Sequence, residues 1–177
     1  MNESRLAFFA YFLMLALGIL QWVHAYPQLP QHMASHFAAN GTPNGWMPKN
    51  AFFLLTVVMT ALSALPVVLA PRSIASKSDA RLNLPKKDYW LAPEHRQETS
   101  RFINAQMSWF SCGILFVLLY GTSQAINANL PGIGYFNSRG MFYVMLGFAL
   151  LTLLWTVRFI THFSNTPDSP ISAPPRS

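Results

Sequence analysis

Four long runs without a charged residue divide this chain and constrain its fold more than any other feature. They extend from Leu6 to Val23, from Ala51 to Ala70, from Phe102 to Ser138 and from Gly140 to Val157. A helix needs about 20 apolar residues to cross the hydrocarbon core of a bilayer, and each run is long enough. Only 10% of the 177 residues are charged, whereas about 25% are charged in an ordinary soluble domain. We therefore predict an integral membrane protein.

The predicted fold class is an all-α integral membrane protein with four transmembrane helices. The third run is longer than one span requires, and Gly121, Asn127 and Pro131 interrupt its apolar pattern. We therefore expect the third helix near Ile103 to Gln124, followed by a polar connection.

The first run has a second interpretation, a cleaved signal peptide. It follows Arg5, and the sequence Val23-His24-Ala25 resembles a small-residue cleavage site. The apolar core of a signal peptide is usually about 7 to 15 residues, which is shorter than this run. We favour a retained helix.

The basic residues predict the orientation of the spans. Of the 12 lysines and arginines, only Lys49 and Arg139 lie in the first and third connections, and the other ten lie near the termini or in the middle loop. Basic loops stay in the cytoplasm, so both termini and the middle loop are predicted to be cytoplasmic. This rule also accounts for the net charge of +6. The lipid bilayer is the expected partner, and nucleic acid is not.

A proline- and glycine-rich external loop is predicted between the first two spans. The dipeptides Asn40-Gly41 and Asn44-Gly45 both favour turns. Before them, Met33 and Phe37 are spaced as on one face of a helix, so Gln31 to Ala39 is predicted to form a short helix.

We divide the chain into four units. They are a helix-loop-helix membrane unit (1–70), a basic cytoplasmic loop (71–102), a second pair of transmembrane helices (103–163) and a disordered cytoplasmic tail (164–177). Pro66 predicts a kink in the second span, and Tyr89 and Trp90 are expected to anchor the middle loop at the membrane interface.

Two histidines of the first connection are candidate metal ligands. On the predicted short helix, His32 and His36 are four residues apart and share one face. A zinc site needs further ligands, and His24 is the only other histidine nearby. The alternative interpretation is a pair of interfacial histidines that hydrogen bond to the loop backbone.

The carboxylates weigh against common enzyme classes. All six lie in predicted cytoplasmic or terminal segments: Glu3, Asp79, Asp88, Glu94, Glu98 and Asp168. A metalloprotease needs a glutamate between its histidines as general base, and none is present there. Proton pumps usually carry ionisable groups at mid-membrane, and the spans lack charged residues there. We expect no catalytic residue and no cofactor.

The first connection resembles a bacterial family. Its residues run Tyr26-Pro27-Gln28-Leu29-Pro30, then His36-Phe37, Asn40-Gly41, Pro43-Asn44-Gly45-Trp46 and Lys49. With its flanking spans, Leu6 to Ala70, this pattern is similar to domain of unknown function 1648 (DUF1648), which also forms the N-terminal part of SdpI-type immunity and signalling membrane proteins. Ala38 and Asn44 depart from the family pattern, in which an asparagine often follows His-Phe and an acid often precedes the second glycine. If the loop of the family binds a cation through those two groups, this chain lacks both of them.

The resemblance implies a non-enzymatic protein of the bacterial inner membrane, of the immunity or signalling type, whose external loop recognises a peptide or envelope ligand. The candidate ligand-binding residues are His36, Phe37, Asn40, Trp46 and Lys49. Such a patch is neutral to cationic and suits a peptide carboxylate or an aromatic-containing peptide. Two alternatives stay open: a membrane metal-binding protein or enzyme that uses His32 and His36, and an accessory subunit of a larger membrane complex.

Overall fold

The structure, a computed structural model, describes residues 3–69 and 83–166. The predictions for most of the basic stretch after the second span and for the tail beyond Thr166 lie outside the described residues. The elements are, in chain order, α1 (Glu3–Ala25), a 3-10 turn (Tyr26–Gln28), β1 (His32–Phe37), β2 (Pro43–Pro48), α2 (Lys49–Leu62), α3 (Lys87–Trp90), α4 (Arg96–Asn129) and α5 (Ser138–Ser164).

Four helical segments in the described ranges are long and apolar enough to cross a membrane, which confirms the predicted number. They are Glu3–Gln28, Lys49–Leu69, Arg96–Asn129 and Ser138–Ser164. The third begins before Ile103 and ends after Gln124, so it is longer than predicted on both sides. At its C-terminal end, packing overrides the weak helix propensity of glycine and asparagine. Ala125 and Ile126 in that last part are buried.

The helix α4 is the centre of the bundle and packs along α1, α2 and α5. Gly18 of α1 allows a close approach, since a Cβ atom there would lie 2.6 Å from a methyl carbon of Leu119. Gly113 similarly faces the ring of Phe148, because a Cβ atom added at Gly113 would lie 3.1 Å from the Phe148 Cε2 atom. Small residues have the same role at many membrane helix contacts.

The second span is interrupted one turn before Pro66, where the sequence predicts a kink. The helix α2 ends at Leu62, and residues 63–64 form a turn before helical backbone resumes. Because proline has no N–H, the Leu62 carbonyl receives no hydrogen bond from residue 66. The hydroxyl groups of Tyr11 in α1 and Ser63 hydrogen bond at 2.9 Å, which ties α1 to this break.

The connection between α1 and α2 forms an antiparallel β-hairpin, so the predicted short helix over Gln31 to Ala39 is wrong. The strands β1 and β2 pair along their length. The spacing of Met33 and Phe37 fits both structures, because residues four apart share a face of a helix and also of a strand. A short isolated helix is marginally stable, whereas strand pairing satisfies the backbone groups of both segments.

The dipeptide Asn40-Gly41 forms the hairpin turn, as predicted. The backbone N–H and the hydroxyl of Thr42 both donate to Asn40 Oδ1, at 3.1 and 2.7 Å. Gly41 adopts a φ of 87°, a left-handed conformation that favours glycine. Local polar contacts and one permissive residue therefore reverse the chain here.

The dipeptide Asn44-Gly45 lies within β2, so its predicted turn is wrong. Register shifts on both sides of His36 leave Ser35 of β1 and Asn44 of β2 without a directly opposed residue. His36 consequently faces Gly45, where an added Cβ would lie 3.1 Å from the imidazole Nδ1. Glycine is needed here to make room for a side chain.

We expect Gly41→Ala to destabilise the protein by about 1 to 3 kcal/mol. Alanine would be strained at this φ, and its Cβ would lie 2.6 Å from the Phe136 carbonyl oxygen. Thermal unfolding of the purified protein in detergent measures the effect. Gly132→Ala is the matched control, because Gly132 has a φ of 84° and nothing within 4 Å of an added Cβ. Equal unfolding temperatures for the two variants would show that the contact with Phe136 is unimportant.

At the other end of the bundle, the described part of the middle loop packs on the helix ends. Trp90 of α3 is 2% exposed, and its indole N–H donates to the Phe163 carbonyl at 3.0 Å. The Thr99 hydroxyl of α4 donates to the Trp90 carbonyl at 2.7 Å. Trp90 is therefore a packing residue between helices, and the expectation of a membrane-surface anchor does not describe it.

Candidate ligand-binding surface

Apolar side chains fix the hairpin across the adjacent ends of α1, α2 and α4. Met33 of β1 is fully buried, and burial of such a side chain contributes about 1.5 to 3 kcal/mol. It belongs to a buried cluster with Trp22, Ala25, Leu29, Phe52, Ala125 and Ile126. The hairpin is thus part of the hydrophobic core at this end of the bundle.

Lys49 begins α2 and is buried beneath the hairpin, with 8% of its surface exposed. Its ammonium group donates to the carbonyl oxygens of Tyr26 at 3.2 Å and Leu29 at 3.3 Å. The same nitrogen lies 4.4 Å from the centroid of the Tyr26 ring, a cation–π distance. The sequence has no acidic residue between Glu3 and Asp79. Carbonyl groups and an aromatic ring therefore hold this cation in place of a carboxylate.

Asn129, the last residue of α4, holds the hairpin through β1. Its Nδ2 donates to the Ala34 carbonyl at 2.9 Å, and its Oδ1 accepts from the Ala34 N–H at 2.8 Å. The carboxamide thus pairs with both backbone hydrogen-bonding groups of Ala34, as a neighbouring strand would. A bond from Nδ2 to the Ala125 carbonyl, at 2.8 Å, fixes the same side chain to its own helix.

The connection between α4 and α5 covers the hairpin turn. The rings of Phe37 and Phe136 stack with their centroids 4.2 Å apart and their planes 13° from parallel. Asn137 caps α5 by accepting from the Gly140 N–H at 2.9 Å, and its own N–H donates to Gln124 Oε1 at 3.3 Å. The two connections therefore form one continuous surface at this end of the molecule.

Two large aromatic side chains are left exposed on that surface. Trp46 of β2 is 63% exposed, and Tyr135 of the α4–α5 connection is 64% exposed. Aromatic residues of this kind often anchor binding partners. His36 is also exposed, and its Nδ1 lies 3.1 Å from the Ser35 hydroxyl. The surface thus offers aromatic area together with an imidazole.

The five predicted ligand-binding residues divide into two groups. His36, Asn40 and Trp46 are exposed, whereas Phe37 is half-buried against Phe136 and Lys49 is buried. The structure therefore does not bring Lys49 to the same exposed patch as Trp46. The Oδ1 atom of Asn40 is already engaged in the turn.

The two candidate metal ligands lie on a strand and not on a helix. Four residues of extended strand place the Cα atoms of His32 and His36 about 13 Å apart, about twice their separation on a helix. Within residues 3–69 and 83–166, no group of three or more His, Cys, Asp or Glu side chains could hold a metal ion. The argument from a shared helical face therefore no longer applies.

Sequence reasoning missed three residues that position the surface. Tyr26 receives the Lys49 ammonium, and its hydroxyl donates to Asn50 Oδ1 at 2.6 Å. Asn129 and Phe136 bind the hairpin from 95 and 99 residues farther along the chain. Tyr26 could have been noticed as an aromatic residue directly before Pro27. The contacts of Asn129 and Phe136 with the hairpin leave no local signal in the sequence.

Residues 12–60 match the profile of a family described as Domain of unknown function (DUF1648). The matched segment begins within α1, contains the whole hairpin and ends within α2, which confirms the resemblance noted in the first connection. Neither the comparison with curated proteins nor the comparison with solved structures gives a match. The family description assigns no activity, so the function must be argued from the surface itself.

Proposed function

We propose that this chain, whose residues 12–60 form a DUF1648 domain, is a non-enzymatic multi-pass protein of the bacterial inner membrane that recognises a peptide outside the cell. The hairpin is the recognition surface, and the protein is of the immunity or signalling type. One observation carries the proposal: a hairpin fixed by three helices exposes Trp46, with 63% of its surface accessible.

The rigid mounting of the hairpin supports a binding role. Asn129 fixes Ala34, and Lys49 fixes the segment that leads into β1. A surface that is already ordered loses little conformational entropy when a ligand binds. A strand pair needed only to connect two spans would not require such support.

The chemistry of the surface suits a peptide with an aromatic side chain and a free carboxylate. Trp46 offers an indole for aromatic packing, and His36 offers an imidazole that can donate a hydrogen bond. The first connection contains no acidic residue, so a carboxylate meets no like charge there.

The distribution of basic residues supports an external position for the hairpin. Ten of the 12 lysines and arginines lie in segments predicted to be cytoplasmic. The positive-inside rule then places the connection between α1 and α2 on the opposite side, where a peptide from outside the cell can reach it.

Deletion of the gene is expected to sensitise cells to a peptide in a panel of membrane-active peptides, and Trp46→Ala should fail to restore protection. Loss of an aromatic anchor typically costs about 2 kcal/mol or more, so the variant should bind that peptide at least about tenfold more weakly. Growth inhibition measures protection, and titration of purified protein with the sensitising peptide measures affinity.

Trp109→Ala is the matched control, because Trp109 is 40% exposed but lies in the middle part of α4. It should protect as well as the wild type at equal protein levels. Unchanged sensitivity of the deletion strain across the panel would contradict the protective function. Full protection by Trp46→Ala would contradict the assigned surface.

A further inference from the structure

An apolar cleft opens between α1 and α2, whose side chains meet near the two ends of the cleft. Its volume is ≈ 1000 Å³, and its lining runs from Tyr11 in α1 to Pro27 just after it, and from Phe53 in α2 to Ala64 just after it. Leu119 of α4 contributes to the lining from the central helix. The cleft therefore follows most of the length of the two spans.

The shape of the cleft limits what can fill it. Tyr11 and Tyr26 are 15 residues apart, which is about 22 Å at a helical rise of 1.5 Å per residue. Side chains bridge the two spans near both ends of the cleft: the ring centroids of Trp22 and Phe53 lie 5.0 Å apart, and the hydroxyl oxygens of Tyr11 and Ser63 lie 2.9 Å apart. A helix about 10 Å in diameter could not lie along the cleft without breaking these contacts. A hydrocarbon chain is thinner and suits the cleft.

The charge at one end of the cleft indicates the headgroup. Tyr26 lines the cleft at the hairpin end, and the Lys49 ammonium lies 4.4 Å from its ring centroid. Asn50, which accepts from the Tyr26 hydroxyl, is exposed beside it. Within the described ranges, the Lys49 ammonium has two carbonyl oxygens and an aromatic ring as partners and no carboxylate. Such a cation in a region of low dielectric attracts an anion.

We propose that the cleft between α1 and α2 binds an anionic phospholipid. One acyl chain lies between the two helices, and the phosphate lies at the hairpin end, close to the Tyr26 hydroxyl, Asn50 and the positive charge of Lys49. This site goes beyond peptide recognition and does not depend on it, because it uses the membrane-facing side of the domain.

Native mass spectrometry of the purified protein tests the site with two probes of matched chains, phosphatidylglycerol and phosphatidylcholine. The wild type should retain phosphatidylglycerol about fivefold better, and added salt should reduce the difference. Ala61→Trp places an indole in the cleft and should abolish retention of both lipids. Ala149→Trp makes the same change at an exposed position of α5 outside the cleft and should retain lipid as the wild type does.

The headgroup position is tested with a pair of variants at the exposed Asn50, because Lys49 also holds the hairpin. Asn50→Gln should keep the preference for phosphatidylglycerol, and Asn50→Asp, which adds a negative charge beside the phosphate, should remove it. Equal retention of the two lipids by the wild type would overturn the anionic site. Retention by Ala61→Trp at the wild-type level would overturn the cleft as the position of the chain. Disulfide-linked dimers of an Ala61→Cys, Cys112→Ser protein would show a second copy in the cleft and would also overturn the proposal.

Discussion

Lys49→Met is expected to destabilise the protein by about 2 to 4 kcal/mol and to release the hairpin from the helices. Methionine has a similar length but donates no hydrogen bond, so the carbonyl groups of Tyr26 and Leu29 lose the donor that they share. The attraction between the ammonium group and the Tyr26 ring is lost as well. Thermal unfolding in detergent, followed by intrinsic fluorescence, measures the loss of stability.

The control for this variant is Lys87→Met, which removes the same charge from an exposed position of α3. We expect its unfolding temperature to stay close to that of the wild type, because exposed charges contribute little. A Lys49→Met protein as stable as Lys87→Met would mean that the buried ammonium does not stabilise the hairpin.

The number of spans could be predicted because the bilayer imposes a strong and local condition on sequence. Charged residues are excluded from long runs, and this leaves a signal that needs no knowledge of distant contacts. The end of α4 was harder to predict. Gly121 and Asn127 weaken the local helix signal, but burial of Ile126 at the hairpin end keeps this part helical.

The hairpin could not be predicted from the first connection alone. The spacing of Met33 and Phe37 fits both the period of a helix and the period of a strand. Only pairing with β2 selects the strand. Asn40-Gly41 and Asn44-Gly45 look alike as dipeptides, yet one makes the turn and the other makes room for an imidazole. Local composition does not contain this difference.

The candidate surface was predicted in part. Trp46 and His36 are exposed, as a binding surface requires, whereas Lys49 is buried. The Lys49 ammonium donates to backbone carbonyl groups. Every residue carries such a group, so no sequence pattern reveals this contact. The role of Asn129 depends on a contact across 95 residues. Residues that position a surface from distant elements are those that single-sequence reasoning misses most easily.

Asn129→Asp is expected to loosen the hairpin more than removal of a single hydrogen bond would. Aspartate keeps the shape and can still accept from the Ala34 N–H. Its second oxygen, however, would face the carbonyl groups of Ala34 and Ala125, to which Nδ2 now donates. The substitution replaces hydrogen bonds between neutral groups with repulsion between a carboxylate and carbonyl oxygens at a partly buried position. We therefore expect the hairpin to lose about 2 to 3 kcal/mol of stability.

Hydrogen–deuterium exchange of residues 32–48 measures this cost directly, because local opening of the hairpin exposes its backbone amides. A loss of about 2 kcal/mol corresponds to exchange roughly 30 times faster. Asn127→Asp adds the same charge two residues earlier, at a side chain with no hydrogen bond to the hairpin in the described part of the chain, and should change exchange little. If both variants accelerate exchange equally, the added charge alone is responsible. If neither does, Asn129 does not hold β1, and the apolar cluster around Met33 is sufficient to fix the hairpin.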